Sequence, residues 1–231
     1  MTEAEWLACE DPTVMLEHLY ETFRSDLATE RKLRLFAVAC CRRVWHLLSD
    51  DRSRAALEAV ELYVDGSQGA ADLNAACRAA ADTATEIVDF PYADAAHAAY
   101  RTAAGDDFDP GYAAADTAPF AAANAAVSLW PEAAATYDTY RALECAVQSQ
   151  LFRDIFGNPF RPAALDPAWR TETVLALARG IYEERAFDRM PILADALQDA
   201  GCTDEDVLGH CRGPGPHARG CWVVDLILGK T

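Results

Sequence analysis

At 231 residues and a formal net charge of −17, the chain is long enough to bury a substantial core and far too acidic to present a phosphate-binding surface. The same charge argues against anionic membranes, and no window approaches the roughly 18 uninterrupted apolar residues of a membrane span. The acidic start, MTEAEW, has no apolar run of signal-peptide length, so the expected location is the cytoplasm, with the eight cysteines as reduced thiols rather than a disulfide scaffold.

The elements expected from start signals and apolar spacing are all helices. Thr2 and Glu5 form a capping box, in which each side chain bonds the other residue's backbone N–H, and open a short helix carrying Trp6 and Leu7. Asp11-Pro12 is an N-cap followed by proline at the first helical position, with Met15, Leu16, Leu19 and Phe23 on the apolar face behind it. Thr29 opens a longer helix, expected to run to about Leu48, whose stripe Leu33, Phe36, Ala37, Cys40, Val44 and Leu48 marks it as central to a bundle. The cations Arg31, Lys32, Arg34, Arg42 and Arg43 form the densest basic cluster, and neutralisation by surrounding acidic helices accounts for it better than docking of an acidic partner. Asp51–Val64 reads as a helix closed by Gly66, and an alanine-dominated helix follows from Ala70 to about Val88, packed around Leu73, Ile87 and Val88.

The loop Gly105–Gly111, GDDFDPG, places Asp106, Asp107 and Asp109 at short spacing, but it lacks the twelve-residue calcium-loop pattern and reads as a polar turn. Pro119 and Pro131 mark two further helix starts, the second leading through Tyr137, Tyr140, Leu143 and Val147 into Gln148–Pro162. There Leu151, Phe152, Ile155 and Phe156 share an inward stripe, and Gly157 ends the helix because it tolerates the left-handed conformation. Beyond this point Asp166-Pro167, Thr171 and Thr203 with Asp206 are start signals. Ile192, Leu193 and Leu197 are the expected inner face of a helix from Met190 to Ala200. The run Cys221–Leu228 fits either a strand or a buried helix, and the helical setting favours helix.

The expected fold is therefore an all-α multi-helix array with little or no sheet. It is read as one helical domain with two subregions, an Ala-rich acidic half at 1–157 and a C-terminal half with a Gly-Pro turn at 158–231.

One constellation carries chemistry. His210, Cys211, His217 and Cys221 lie within HCRGPGPHARGC, four nitrogen and sulfur donors of the kind that hold zinc in a tetrahedron. His217 and Cys221 would share a helix face if the last helix began early, and Asp225, one turn on, would orient His217. Against zinc stand a spacing that matches no finger pattern and the divergence by about 100° of adjacent side chains on a helix. The plain alternative makes Cys211 and Cys221 core residues and the histidines polar ends of a rigid turn. Arg212, His217 and Arg219 around the same glycines could receive an anion, although two prolines remove N–H donors. No phosphate loop, nucleophile elbow or dinucleotide fingerprint occurs, so the sequence names no catalytic residue and implies no cofactor other than zinc.

Three blocks, RKLRLFAVACCRRVWHLL (Arg31–Leu48), RDIFGNPFRP (Arg153–Pro162) and HCRGPGPHARGCWVVDLILGK (His210–Lys230), together resemble a paralogue-rich helical domain of planctomycete-type bacteria over nearly the whole chain. The resemblance implies a self-contained bacterial domain and carries no activity, cofactor or catalytic residue with it. LADALQDAGC (Leu193–Cys202) also resembles companion domains of repeat proteins in such genomes. The leading functional reading is a non-catalytic module for protein interaction or regulation, with a protein partner and neither nucleic acid nor membrane. The alternatives are a zinc-binding protein built on His210, Cys211, His217 and Cys221, and a small-molecule binder within the helical bundle. The oligomeric state is not legible.

Overall fold

The computed structural model describes residues 1–23, 29–104, 119–125 and 137–230. Among them every regular element is helical and no strand occurs. The helices are α1 (Glu3–Ala8), α2 (Pro12–Phe23), α3 (Glu30–Arg43), α4 (Asp51–Val64), α5 (Ala70–Glu86), α6 (Tyr92–Ala104), α7 (Tyr137–Phe156), α8 (Glu172–Glu184), α9 (Met190–Asp199), α10 (Glu205–Arg212) and α11 (Trp222–Leu228). Residues 119–125 are helical as well, where Pro119 announces a start. The Asp106–Asp109 loop and the start at Pro131 lie outside the described residues. No helix among the described residues is long and apolar enough to cross a membrane.

The chain divides into two compact units, Met1–Phe152 and Arg153–Thr231. The division falls inside the last turn and a half of α7 rather than after Gly157, and so assigns Asp154 to the C-terminal unit.

In the N-terminal unit, α3 is buried along the whole run Leu33–Cys41 and packs with α4 and α6, while α4, α5 and α6 also pack on one another. Phe152 meets Trp6 and Phe36 edge-on, at centroid distances of 5.7 and 4.9 Å. Ala95, Ala96, Ala98 and Ala99 of α6 are fully enclosed, because a helix of small side chains can approach its neighbours closely. The four arginines of the basic cluster are paired with carboxylates inside this unit. Arg31 pairs with Asp65, Arg34 with Glu30, Arg42 with both oxygens of Glu61, and Arg43 with both oxygens of Glu144.

Arg34 does more than pair with Glu30. Only 3 % exposed, its guanidinium donates to the carbonyls of Thr102 and Ala103 at 2.9 and 3.2 Å, in the last turn of α6, where carbonyls have no partner within the helix. Arg34→Met keeps the apolar stem and removes the donors, leaving buried carbonyls unmet. Urea unfolding is expected to show a loss of about 2–4 kcal/mol; a change below about 0.5 kcal/mol would mean that water serves these carbonyls equally well.

Local signals placed most boundaries. The Thr2–Glu5 capping box, the Asp11 cap and the Thr29 and Thr171 caps all form. Four expectations need correction. The helix opened by Thr29 stops at Arg43, and the chain tightens into a 3₁₀ turn at Trp45–Leu47 before reaching Leu48. The alanine-rich helix stops at Glu86, since Ile87 is extended, and the chain carries Val88 outward to 82 % exposure instead of into the core. Ile192 faces solvent, because the inner face of α9 is set by Met190, Leu193 and Leu197. Asp204, not Thr203, caps α10, its carboxylate accepting from the N–H groups of Asp206 and Val207.

The C-terminal unit packs α9 against α8 and α10, and α11 against α8 and α10. Val174, Ile181, Leu193, Leu197, Val207, Val223 and Ile227 fill the space between them. Cys221–Leu228 is indeed helical beyond its first residue, which caps α11, and Gly229 ends the helix at φ +68°.

Candidate metal centre

Asp154, His210, His217 and Cys221 converge, one donor atom from each lying within 4.8 Å of all the others. Three of the four sequence candidates are therefore brought together and the fourth is not. Cys211 lies instead in the apolar core of the C-terminal unit, consistent with the divergence of adjacent helical side chains. Asp154, from a segment far upstream, takes the fourth place.

Each ligand-bearing segment is positioned by local chemistry. Asp154 lies in the last turn of α7, among the buried Phe152, Ile155 and Phe156. Gly157 stops that helix at φ +71°, with its N–H on the carbonyl of Arg153. His210 is in the last turn of α10. The chain then reverses through Gly213–Pro216. Gly215 sits at φ +77°, and a Cβ there would lie 3.0 Å from the backbone nitrogen of His217, so only glycine lets the turn fold this tightly. Cys221 follows as the N-cap of α11, with its carbonyl accepting from Asp225 N–H. His217 and Cys221 meet because the turn doubles back, not because they share a helix face.

The carboxylate is the hub. Asp154 Oδ1 accepts from His217 Nδ1 at 2.7 Å and lies 3.0 Å from His210 Nε2, while Oδ2 accepts from Ala218 N–H at 2.9 Å. His210 Nε2 is also 3.2 Å from Cys221 Sγ. The two imidazoles meet edge-on with centroids 4.9 Å apart. The carboxylate that orients His217 is thus Asp154 rather than Asp225.

Burial alone would push the Asp154 carboxyl up, but hydrogen bonds from His210 and His217, with their positive potential, outweigh it and hold the group below the ordinary carboxylate range. Burial pushes the Cys221 thiol well up, and the neighbouring Asp154 adds to this. Cys211 is pushed up to about 12, again by burial first. An ionised carboxylate accepts only, so His217 donates from Nδ1, and in the neutral ring Nε2 is then a bare lone pair. That Nε2 is buried and finds no hydrogen-bond partner among the described residues.

These donors suit one class of ion. Zinc bonds of about 2.0–2.3 Å put tetrahedral ligands about 3.3–3.6 Å apart. In the cluster no two donor atoms are more than 4.8 Å apart, and His217 would coordinate through Nδ1 after giving up the proton it shares with Asp154. Calcium and magnesium prefer shells of oxygen alone. A divalent ion with one carboxylate and one thiolate is formally neutral, which suits a site where Asp154 is 2 % and Cys221 0 % exposed.

The proposed anion site on the same turn does not assemble. Arg212 is drawn to Asp195 and Gln198, and Arg219 donates to the carbonyl of Tyr182.

No protein-family model, curated protein or solved structure matches the chain. Any functional assignment rests on the chemistry of this cluster.

Proposed function

We propose that the chain is a non-catalytic helical module whose C-terminal unit holds one zinc ion between Asp154, His210, His217 and Cys221. The observation that carries this reading is the convergence of four zinc-type donors, one atom from each within 4.8 Å of the others, in a site shielded from solvent. A structural rather than catalytic role is supported by the donor count. Four protein ligands complete a tetrahedron, whereas catalytic zinc keeps one position for water or substrate. With Asp154, His217 and Cys221 nearly inaccessible and only His210 reaching 18 % side-chain exposure, the ion would be enclosed.

The ion would join the beginning of the unit to its last two helices, since Asp154 and His217 are 63 positions apart. The module's purpose in this reading is protein interaction or regulation, with zinc as its fastening. The reading is tested by elemental analysis of the full chain after expression with added zinc and purification without chelator. About one zinc per chain is expected, and less than about a tenth of an equivalent would contradict it.

A further inference from the structure

The metal donors do not reach their places unaided, and one neighbouring side chain touches two of the segments that bear them. Trp222 follows Cys221 directly and begins α11. Its indole lies against the backbone of Gly157, where a Cβ would sit 3.3 Å from Trp222 Cγ. It also packs on the imidazole of His210, at a centroid distance of 5.1 Å and an interplanar angle of 54°. Gly157 is three residues past Asp154 on the same helix end. Trp222 is therefore a spacer between the segment that carries Asp154 and the helix that carries His210, while its own backbone carries Cys221.

A spacer with these contacts fixes what a donor set alone cannot. His210 is the most exposed of the four donors, and its ring must point Nε2 inward to stand 3.0 Å from Asp154 Oδ1 and 3.2 Å from Cys221 Sγ. The indole of Trp222 and the imidazole of His217 both border that ring. Glycine at 157 is needed both for its positive φ and for the room the indole occupies. Groups that orient metal ligands without touching the metal commonly govern affinity as strongly as a weak ligand does.

We infer that Trp222 is the positioning residue of this centre, setting the separation of Asp154 from His210 and the aim of the His210 ring. This rests on the zinc reading above. The indole also supplies an optical signal, because an ion bound to the adjacent imidazole alters the surroundings of the excited ring.

The test compares zinc affinity, by competition with a chromophoric chelator, in the full-length wild type, Trp222→Phe and Trp222→Leu, with helicity and urea stability measured alongside. Phenylalanine keeps a flat ring between Gly157 and His210 and is expected to stay within about threefold of wild type. Leucine keeps apolar bulk without a ring face and is expected to bind about 10- to 100-fold more weakly. Wild type should show a zinc-dependent fluorescence change that Trp222→Phe lacks. Equal zinc affinity in Trp222→Leu and wild type, whether or not stability falls, would overturn the role of Trp222 and leave the zinc site standing. Absence of zinc binding by wild type would overturn both.

Discussion

Replacing Cys221 by serine is expected to weaken zinc binding by about 100-fold or more, while replacing Cys211 by serine leaves it within about threefold. The two cysteines are ten positions apart and both fully buried, so composition and exposure do not distinguish them. Geometry does. Cys221 Sγ faces His210 Nε2 at 3.2 Å, whereas Cys211 belongs to the apolar core of the unit and not to the donor group. Cys221→Ser removes the one thiolate, the donor that contributes most to zinc preference in this set, and a 100-fold loss corresponds to about 2.7 kcal/mol. Its hydroxyl can still take up the hydrogen bond to His210, so the fold should persist.

Cys211→Ser instead puts a hydroxyl into an apolar core, at a cost of about 1–3 kcal/mol in stability, with the donors untouched. Asp154→Asn should follow Cys221→Ser, losing about tenfold or more in affinity because the charge that balances the ion is gone. Chelator competition and urea titration on the same three variants give the pattern. A loss of affinity in Cys211→Ser equal to that in Cys221→Ser would restore the ligand set read from the sequence and refute the one proposed from Asp154, His210, His217 and Cys221.

The second large effect is alkaline destabilisation of the metal-free protein. Burial holds the thiols of Cys40, Cys41, Cys211 and Cys221 protonated, with Cys41 and Cys211 each pushed up to about 12. In the unfolded chain a thiol ionises near about 8.5. A raised folded value favours the native state in full below the unfolded value, and that contribution is lost as pH climbs from there toward the folded value. At pH 10 the loss is about 2 kcal/mol per thiol, hence about 4 kcal/mol from Cys41 and Cys211 alone, against a typical native stability of about 5–15 kcal/mol.

Asp154 acts in the opposite sense. Its lowered value contributes stability above about pH 4 that is lost as pH falls through the folded value. Zinc changes only one of the thiols. Coordination makes Cys221 a thiolate in the folded state, so affinity should rise with pH across the neutral range and each ion bound should release at least one proton. Urea midpoints measured from pH 7 to 10 without metal should fall steeply, and a flat profile would mean that these thiols are not held protonated.

Most of the fold was legible because its signals are local. A hydroxyl or carboxylate before an apolar stripe caps a helix wherever it occurs, and Thr2, Asp11, Thr29 and Thr171 did so. The failures lie where tertiary packing decides. Val88 and Ile192 have core chemistry, but each lies on the outward side of a chain whose inward side is already filled.

The candidate cluster was legible in its C-terminal half, where His210, His217 and Cys221 lie close along the chain. Its fourth donor, 63 positions before His217, was not. One signal pointed to Asp154. A carboxylate in the last turn of an apolar helix sits at the negative end of the helix dipole and among buried aromatics, an arrangement that costs free energy unless a cationic or donor group meets it. The anion therefore required a partner, although the sequence could not say which.

The most direct test of the four-donor centre is the zinc X-ray absorption spectrum of the loaded full chain. One sulfur at about 2.3 Å and three nitrogen or oxygen atoms at about 2.0–2.2 Å are expected. A shell with two sulfurs, or with none, would contradict the centre formed by Asp154, His210, His217 and Cys221.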